Sequence, residues 1–138
     1  MNSLEARDAM NKVMLDAWIA AGYDPVNVRW SLVPGDMPTE EVVWAKAAPQ
    51  HYDGGQQTFG GHGNRVFNNE GTYWVQVFAP VGGGGEAVHT AATAILKALR
   101  DSKNISVWFR NAKMKEVGIS GAFDQINVLA DFTYDTLG

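Results

Sequence analysis

The stretch that most constrains the fold is residues 71–100, which reads GTYWVQVFAPVGGGGEAVHTAATAILKALR. Its first part has the period-2 pattern of a strand lying on a core, because one face is wholly apolar: Tyr73, Val75, Val77 and Ala79. Pro80 cannot donate a hydrogen bond to a sheet and therefore ends the strand. After the glycines, residues 86–100 predict an amphipathic helix with apolar residues at three- and four-residue steps: Val88, Ala91, Ala92, Ile95, Ala98 and Leu99.

The rest of the chain adds one helix and several shorter strands. Ser3 is a residue type that caps helices, and it predicts a helix from Leu4 to Ala21. Gly22, directly after this helix, is typical of the residue that terminates one. Segments with apolar residues at alternate positions predict the remaining strands: 26–32, 41–48, 65–68, 105–110, 113–119 and 125–134.

Residues 49–64, PQHYDGGQQTFGGHGN, contain five glycines and almost no aliphatic side chain, so they cannot build a core. We interpret them as a long loop or an extended, mobile hairpin. The strand at 65–68 is predicted to pair with 72–79 through a tight turn at residues 69–71. Because hairpins dominate, we expect a single α+β domain over residues 1–138, with a mainly antiparallel sheet and two helices packed on one face.

Composition narrows the classes of function. The 138 residues carry a net charge of −4 and no block of basic residues, which disfavours sequence-specific DNA binding. The absence of cysteine excludes disulfides, thiolate zinc sites and a cysteine nucleophile. The first residues lack the pattern of a signal peptide, and no apolar stretch is long enough to span a bilayer. We therefore expect a protein that is made and kept in a cytoplasm.

The four glycines at 82–85 join a strand to a helix, and such turns can bind phosphate. A Walker loop requires Lys and then Ser or Thr after its last glycine, whereas Glu86 stands there in this chain. Gly82, Gly84 and Ala87 match only the loose dinucleotide pattern G-x-G-x-x-A, without the parallel strand unit that should follow. We therefore predict no cofactor-binding residue and interpret the glycines as a flexible connection.

The titratable residues show no recognisable catalytic or metal-binding pattern. His51, His62 and His89 could in principle share a metal with Asp53, but none of them has metal-ligand spacing on a helix. The carboxylates are scattered at turns and strand ends, and no G-x-S-x-G elbow accompanies a histidine. The sequence therefore predicts a protein that is not an enzyme and has no catalytic residue, metal or cofactor.

The aromatic residues of the central strand suggest an interface. Trp74 and Phe78 share one face with Thr72 and Gln76. If the opposite face packs on the helices, these rings lie outside, where a monomer rarely leaves such a patch bare. The alternative is that the sheet is covered on both sides.

The order of elements and one short motif resemble the tail terminator proteins of long-tailed bacteriophages. The motif is RVFNNEGTYWVQVFAP at residues 65–80, which is similar to the family run R-x-x-G-x-x-x-V-x-V-F-x-P. The two agree from Gly71 to Pro80, whereas five residues instead of two separate Arg65 from Gly71. As in that family, Gly85, Glu86 and Ala87 then open an alanine-rich helix. The layout agrees over residues 4–134, whereas the segment 49–64 has no counterpart.

The resemblance implies a structural virion protein. Tail terminators form a hexameric ring on the last ring of the tail tube, stop its polymerisation and offer a surface for head–tail joining. The implied partners are further copies of the chain, the tail tube protein and the head–tail connector. Genomic DNA would pass through the lumen without sequence-specific binding, and no membrane is involved. The implied location is the head-proximal end of the tail in the virion, and the host cytoplasm during assembly. The expected interface residues are Arg65, Phe67, Trp74 and Phe78.

Three alternatives stay open. The chain could be another head–tail joining or tail-tube ring protein, a small ligand-binding or enzymatic α+β domain, or a generic interaction module. A tube protein should polymerise into long tubes, whereas a terminator should stop as a single ring. An enzyme or ligand-binding domain should bind a small molecule.

Overall fold

The computed structural model describes residues 2–30, 42–56, 66–81, 85–102, 106–120 and 123–137. Within these residues, two α-helices and one five-stranded sheet confirm the predicted α+β class. In chain order the elements are α1 Ser3–Ala20, a 3-10 turn Pro25–Asn27, β1 Val28–Trp30, β2 Trp44–Gln56, β3 Val66–Pro80, α2 Glu86–Arg100, β4 Trp108–Ser120 and β5 Phe123–Leu137.

Helix α1 begins one residue before the predicted start, because Asn2 rather than Ser3 caps it. The side chain of Asn2 accepts a hydrogen bond from the backbone N–H of Glu5 (2.8 Å), and the Glu5 carboxylate accepts one from the Asn2 N–H (3.1 Å). This reciprocal pair is a capping box, which satisfies two otherwise unpaired donors. The helix ends before Gly22, whose φ of +92° is the left-handed conformation that glycine adopts at little cost.

The sheet has the strand order β1-β2-β3-β5-β4. Only β1 and β2 are parallel, so the sheet is mainly antiparallel as predicted. Both helices pack on one side of it, which we call the inner face. Alternate residues of the strands point to this face and are buried in the core: Ala45, Ala47, Tyr73, Val75, Val77, Ala79, Ile126, Val128, Ala130, Phe132 and Tyr134.

The predicted turn at residues 69–71 is wrong, because β3 continues through these residues without interruption. Gly71 lies inside the strand, where a Cβ would meet the backbone carbonyl oxygen of Gln50 and lie 2.6 Å from the Phe132 ring. A glycine within a strand often marks such a close approach. Gly71 is therefore required by packing and does not form a turn.

The predicted loop at 49–64 is a strand in its first half. β2 continues to Gln56 and pairs with β3, with a register shift between His51 and Asp53. This agrees with the hairpin interpretation and contradicts the loop interpretation for these residues. Residues 57–65 lie outside the described part of the chain.

Strand β4 joins the region of the predicted strand at 105–110 to the weaker one at 113–119. Its register against β5 shifts twice, next to Asn111 (φ +54°) and Gly118 (φ +96°). Each shift is a bulge that adds an unpaired residue and bends the strand. The two sequence segments are therefore one irregular strand.

A buried polar contact connects the helix layer to the sheet. The Tyr73 hydroxyl on β3 donates a hydrogen bond to the side-chain oxygen of Asn11 on α1 at 2.8 Å. Tyr73 is fully buried, and this burial raises the pKa of its hydroxyl. The contact fixes α1 over the centre of the sheet.

Candidate assembly surfaces

The face of the sheet turned away from both helices, which we call the outer face, carries the first candidate surface. Paired residues of antiparallel strands point to the same face, so strand register arranges their side chains in transverse rows. Three rows cross the middle of the outer face: Trp44, Phe78 and Gln125; Lys46, Gln76, Asn127 and Lys115; and Ala48, Trp74, Leu129 and Lys113. Trp74 and Phe78 thus lie on the side of the sheet opposite to the helices.

The first row belongs to an aromatic cluster. The rings of Trp44 and Phe78 stack with centroids 4.2 Å apart, and Phe123 meets Trp44 edge-on at 5.8 Å. Trp44 is 1% exposed and Phe78 is 8% exposed, so most of the Phe78 surface is covered within the subunit. The indole N–H of Trp44 has no hydrogen-bond partner in the described part of the chain, and the ammonium of Lys46 lies 5.5 Å from its ring centre.

The other predicted interface residues are spread along β3. Trp74 is half-buried between Ala48 on β2 and Leu129 on β5. Phe67 is also half-buried and lies near the start of β3, far from Trp74 along the strand. Arg65 lies outside the described residues. Phe67 and Trp74 therefore do not form one compact patch, and the role of the four predicted residues as an interface remains a prediction.

The edge strand β4 carries a surface that the sequence reading missed. Eight large apolar residues of the described chain are exposed, and half of them lie on this strand: Trp108 (58%), Met114 (36%), Val117 (47%) and Ile119 (69%). β4 is the last strand of the described sheet on its side. Trp108 and Ile119 lie at the two ends of β4, and strand register turns Trp108 toward the outer face and Met114 and Ile119 toward the inner face. The apolar side chains are therefore distributed along the edge, where exposed apolar surface is typical of a protein–protein contact.

The opposite side of the subunit also exposes apolar side chains. Val26 is 67% exposed and directly precedes the edge strand β1, and Ile19 is 49% exposed at the end of α1. Helix α1 packs over β2, the strand next to β1, so it lies toward the same end of the strand order. The two ends of the strand order therefore each present apolar surface.

The histidines take part in isolated pairs. The Nε2 atom of His51 and the hydroxyl of Tyr134 share a hydrogen bond of 2.6 Å. Burial lowers the pKa of His51 and raises that of Tyr134. The Nε2 atom of His89 on α2 lies 3.2 Å from a carboxylate oxygen of Glu116 on β4. His62 lies outside the described residues.

The described residues hold no group of three or more His, Cys, Asp or Glu side chains that could bind a metal ion. In the glycine run, residues 82–84 lie outside the described part. Gly85 has a φ of +80° and provides no side-chain cap for α2, whose first residue is Glu86. In the residues that the structure describes, no helix is long and apolar enough to cross a membrane.

Comparisons with known proteins give matches at the level of structure. No protein-family model and no curated protein matches the sequence. One solved chain without a descriptive name aligns with a TM-score of 0.67 and 18% identity, over 100% of this chain and 99% of its own length. A chain from the virion of a native gene transfer agent (GTA) particle aligns with a TM-score of 0.53 and 16% identity, over 98% of this chain and 95% of its own. At these identities the likeness shows a shared fold.

Proposed function

We propose that this chain is a structural virion protein of the tail-terminator type. In this proposal, copies of the chain form a ring, expected to be hexameric, that caps the tail tube and stops its polymerisation. The ring then provides the surface for the head–tail connector. The observation that carries the proposal is the alignment with a GTA virion chain, which spans 98% of this chain and 95% of the other. An end-to-end match of this kind concerns the whole subunit and not a shared local motif.

The two apolar edges support a head-to-tail contact between copies. A ring requires a heterologous interface, in which one surface of a subunit meets a different surface of its neighbour. The β4 edge exposes Trp108, Val117 and Ile119, and the side that ends in β1 exposes Ile19 and Val26. Contact between these two edges would cover apolar surface on both partners. It would also leave two surfaces free to form the walls of the ring: the helix layer and the outer face of the sheet.

Particle mass and shape test the ring itself. Light scattering and negative-stain imaging of the protein, alone and with a tail tube protein, should show a six-fold ring of about 90 kDa, six times the 15.0 kDa of the chain. Long tubes formed by this chain alone would contradict the terminator role and favour a tube protein. A phage that lacks the gene should make tails of uncontrolled length, and normal tails would refute the proposal.

Two edge variants test which surfaces meet. Ile119→Glu on β4 and Val26→Glu before β1 should each abolish the ring, because each places a charge in the proposed contact. When the two variants are mixed, one intact edge remains on each, so they should form a heterodimer of about 30 kDa, twice 15.0 kDa, and nothing larger. Lys97→Glu, at an exposed position on α2, is the control that should leave assembly unchanged. A Val26→Glu variant that still forms rings would exclude the β1 side from the contact.

A further inference from the structure

Three lysines of the outer face lie close together in two adjacent rows. Lys46 and Lys115 lie at the two ends of one transverse row, with Gln76 and Asn127 between them, and Lys113 ends the adjacent row. We call these three lysines the lysine band. None of them is in an ion pair in the described part of the chain.

The described acidic residues of the outer face already have partners, including Asp131 in the row next to Lys113. Glu70 lies 3.8 Å from Arg110. Asp131 accepts hydrogen bonds from a threonine hydroxyl (3.3 Å) and from the amide of Asn111 (3.0 Å), and Asp135 accepts one from an asparagine on β3 (3.3 Å). In the described part of the chain, none of these acids forms an ion pair with the lysine band, although the chain as a whole has a net charge of −4.

In a second copy of the chain, the described carboxylates of helix α1 do not offer the lysine band a free acidic counterpart. On α1, Asp16 pairs with Lys12 at 2.7 Å and Asp8 pairs with Arg7 at 3.6 Å. Glu5 is held in the capping box. The carboxylates of α1 thus have cationic or backbone partners within their own subunit, whereas Glu86 and Asp101 at the two ends of α2 are exposed and form no ion pair in the described part of the chain. A nucleic acid, with its continuous row of phosphates, is a denser counterpart for three adjacent lysines than these two separated carboxylates.

We propose that the lysine band binds the phosphate backbone of nucleic acid without reading its sequence. Three strand spacings separate Lys46 from Lys115, which is about 14 Å. This span is close to the roughly 12 Å width of the major groove of B-DNA, so lysines at the two ends of the band reach phosphates on either side of the groove. Gln76 and Asn127 add amide groups of the kind that contact phosphate and sugar.

The inference rests on the proposed function only for the source of the nucleic acid, which would be the DNA that passes through the ring. Contact between β1 and β4 edges leaves the outer face as one of the two walls that can line the lumen. Three lysines in each subunit would then hold the duplex by charge alone. Such contacts are weak and independent of sequence, so they permit sliding.

Salt-dependent binding of a fluorescein-labelled 30-base-pair duplex, followed by anisotropy, tests the inference. Each neutralised phosphate contributes about −0.9 to the slope of log K against log salt concentration. Lys113→Gln/Lys115→Gln should therefore flatten the slope by about 1.8 and weaken binding, equally for two unrelated duplex sequences. The matched control is Lys12→Gln/Lys97→Gln, which removes the same charge from the helix layer and should leave the slope unchanged.

Lys46→Gln supplies an independent variant on β2, away from the β4 edge, and should flatten the slope by about 0.9. Failure of wild-type protein to bind the duplex at 50 mM salt would overturn the inference, as would equal weakening by the band and control variants. Tighter binding of polyglutamate than of the duplex at equal charge concentration would also overturn it, in favour of an acidic protein partner. Light scattering on the same samples, with and without tail tube protein, separates the two proposals: rings that do not bind DNA refute only the lysine band, and DNA binding by protein that forms no ring even with the tube protein refutes only the ring.

Discussion

Replacing Gly71 with alanine should destabilise the protein more than a glycine replacement elsewhere in the sheet. The added Cβ would meet the backbone carbonyl oxygen of Gln50 and lie 2.6 and 2.8 Å from two atoms of the Phe132 ring. Carbon atoms in favourable contact are about 3.5–4.0 Å apart, so the ring would have to move by about 1 Å. The carbonyl belongs to the paired strand β2 and cannot move without disturbing the ladder.

The expected cost follows from this geometry. Overpacking of a core typically costs about 1–3 kcal/mol, and the backbone contact puts Gly71→Ala at the upper end, about 3 kcal/mol. For a chain of this size, that corresponds to a fall in melting temperature of roughly 10 °C. Thermal and urea unfolding followed by circular dichroism would measure both quantities.

Gly118→Ala is the matched control, because a Cβ there meets nothing within 4 Å and only the φ of +96° is unfavourable. That strain should cost about 1–2 kcal/mol. Phe132→Leu combined with Gly71→Ala should recover about 1 kcal/mol as a coupling energy, since it relieves the ring contact but not the contact with the Gln50 carbonyl. The reasoning fails if Gly71→Ala costs no more than Gly118→Ala, or if the two core substitutions are additive.

Three further predictions concern contacts that the sheet makes. Asn11→Ala should cost about 1–3 kcal/mol because it leaves the buried Tyr73 hydroxyl unsatisfied, while Asn11→Ala/Tyr73→Phe should be closer to the wild type; urea unfolding of the four proteins checks the cycle. Burial lowers the pKa of His51 from its ordinary value of 6.5. At pH values between the lowered pKa and 6.5, the unfolded chain therefore binds a proton that the native chain does not. The free energy of unfolding should therefore rise with pH across that window and level off above it, and His51→Gln should remove the rise; an unchanged pH profile would exclude His51 as its source. Trp74→Ala should impair assembly more than it lowers the melting temperature of the subunit, and a stability loss of about 3–5 kcal/mol would instead identify Trp74 as a core residue.

The elements that were predicted correctly are those in which local pattern and packing agree. Helix α2 coincides with the predicted range 86–100, because its apolar stripe and its terminal charges both follow helical periodicity. Strand β5 keeps strict alternation between Ile126 and Tyr134, and these residues are buried on the inner face. The turn at 69–71 was predicted wrongly because glycine is as common in turns as at close contacts. Only the position of Phe132, far along the sequence, distinguishes the two.

The exposed apolar residues of β4 were not predicted as an interface, for a different reason. A bulge inserts one residue and reverses the phase of the alternation after it, and β4 has register shifts beside Asn111 and Gly118. Its sequence therefore predicts two separate strands, a regular one at 105–110 and a weaker one at 113–119, with no apolar face that continues from one to the other. The exposed apolar residues were visible in the sequence, but their common location at an edge depends on the strand order, which no local pattern encodes.

The same bulges bear on how β4 would contact a neighbour. A long regular edge is a template for continuous backbone pairing, and bulges and charged residues are the usual means of blocking it. β4 has both, since Lys113, Lys115 and Glu116 lie between the two irregular points. Backbone pairing along this edge is therefore limited to a short stretch, and recognition would depend on Trp108, Ile119 and their apolar neighbours. An interface made by side chains tolerates only a partner with matching shape, which suits a ring that closes at a fixed number of subunits and does not grow as an open sheet.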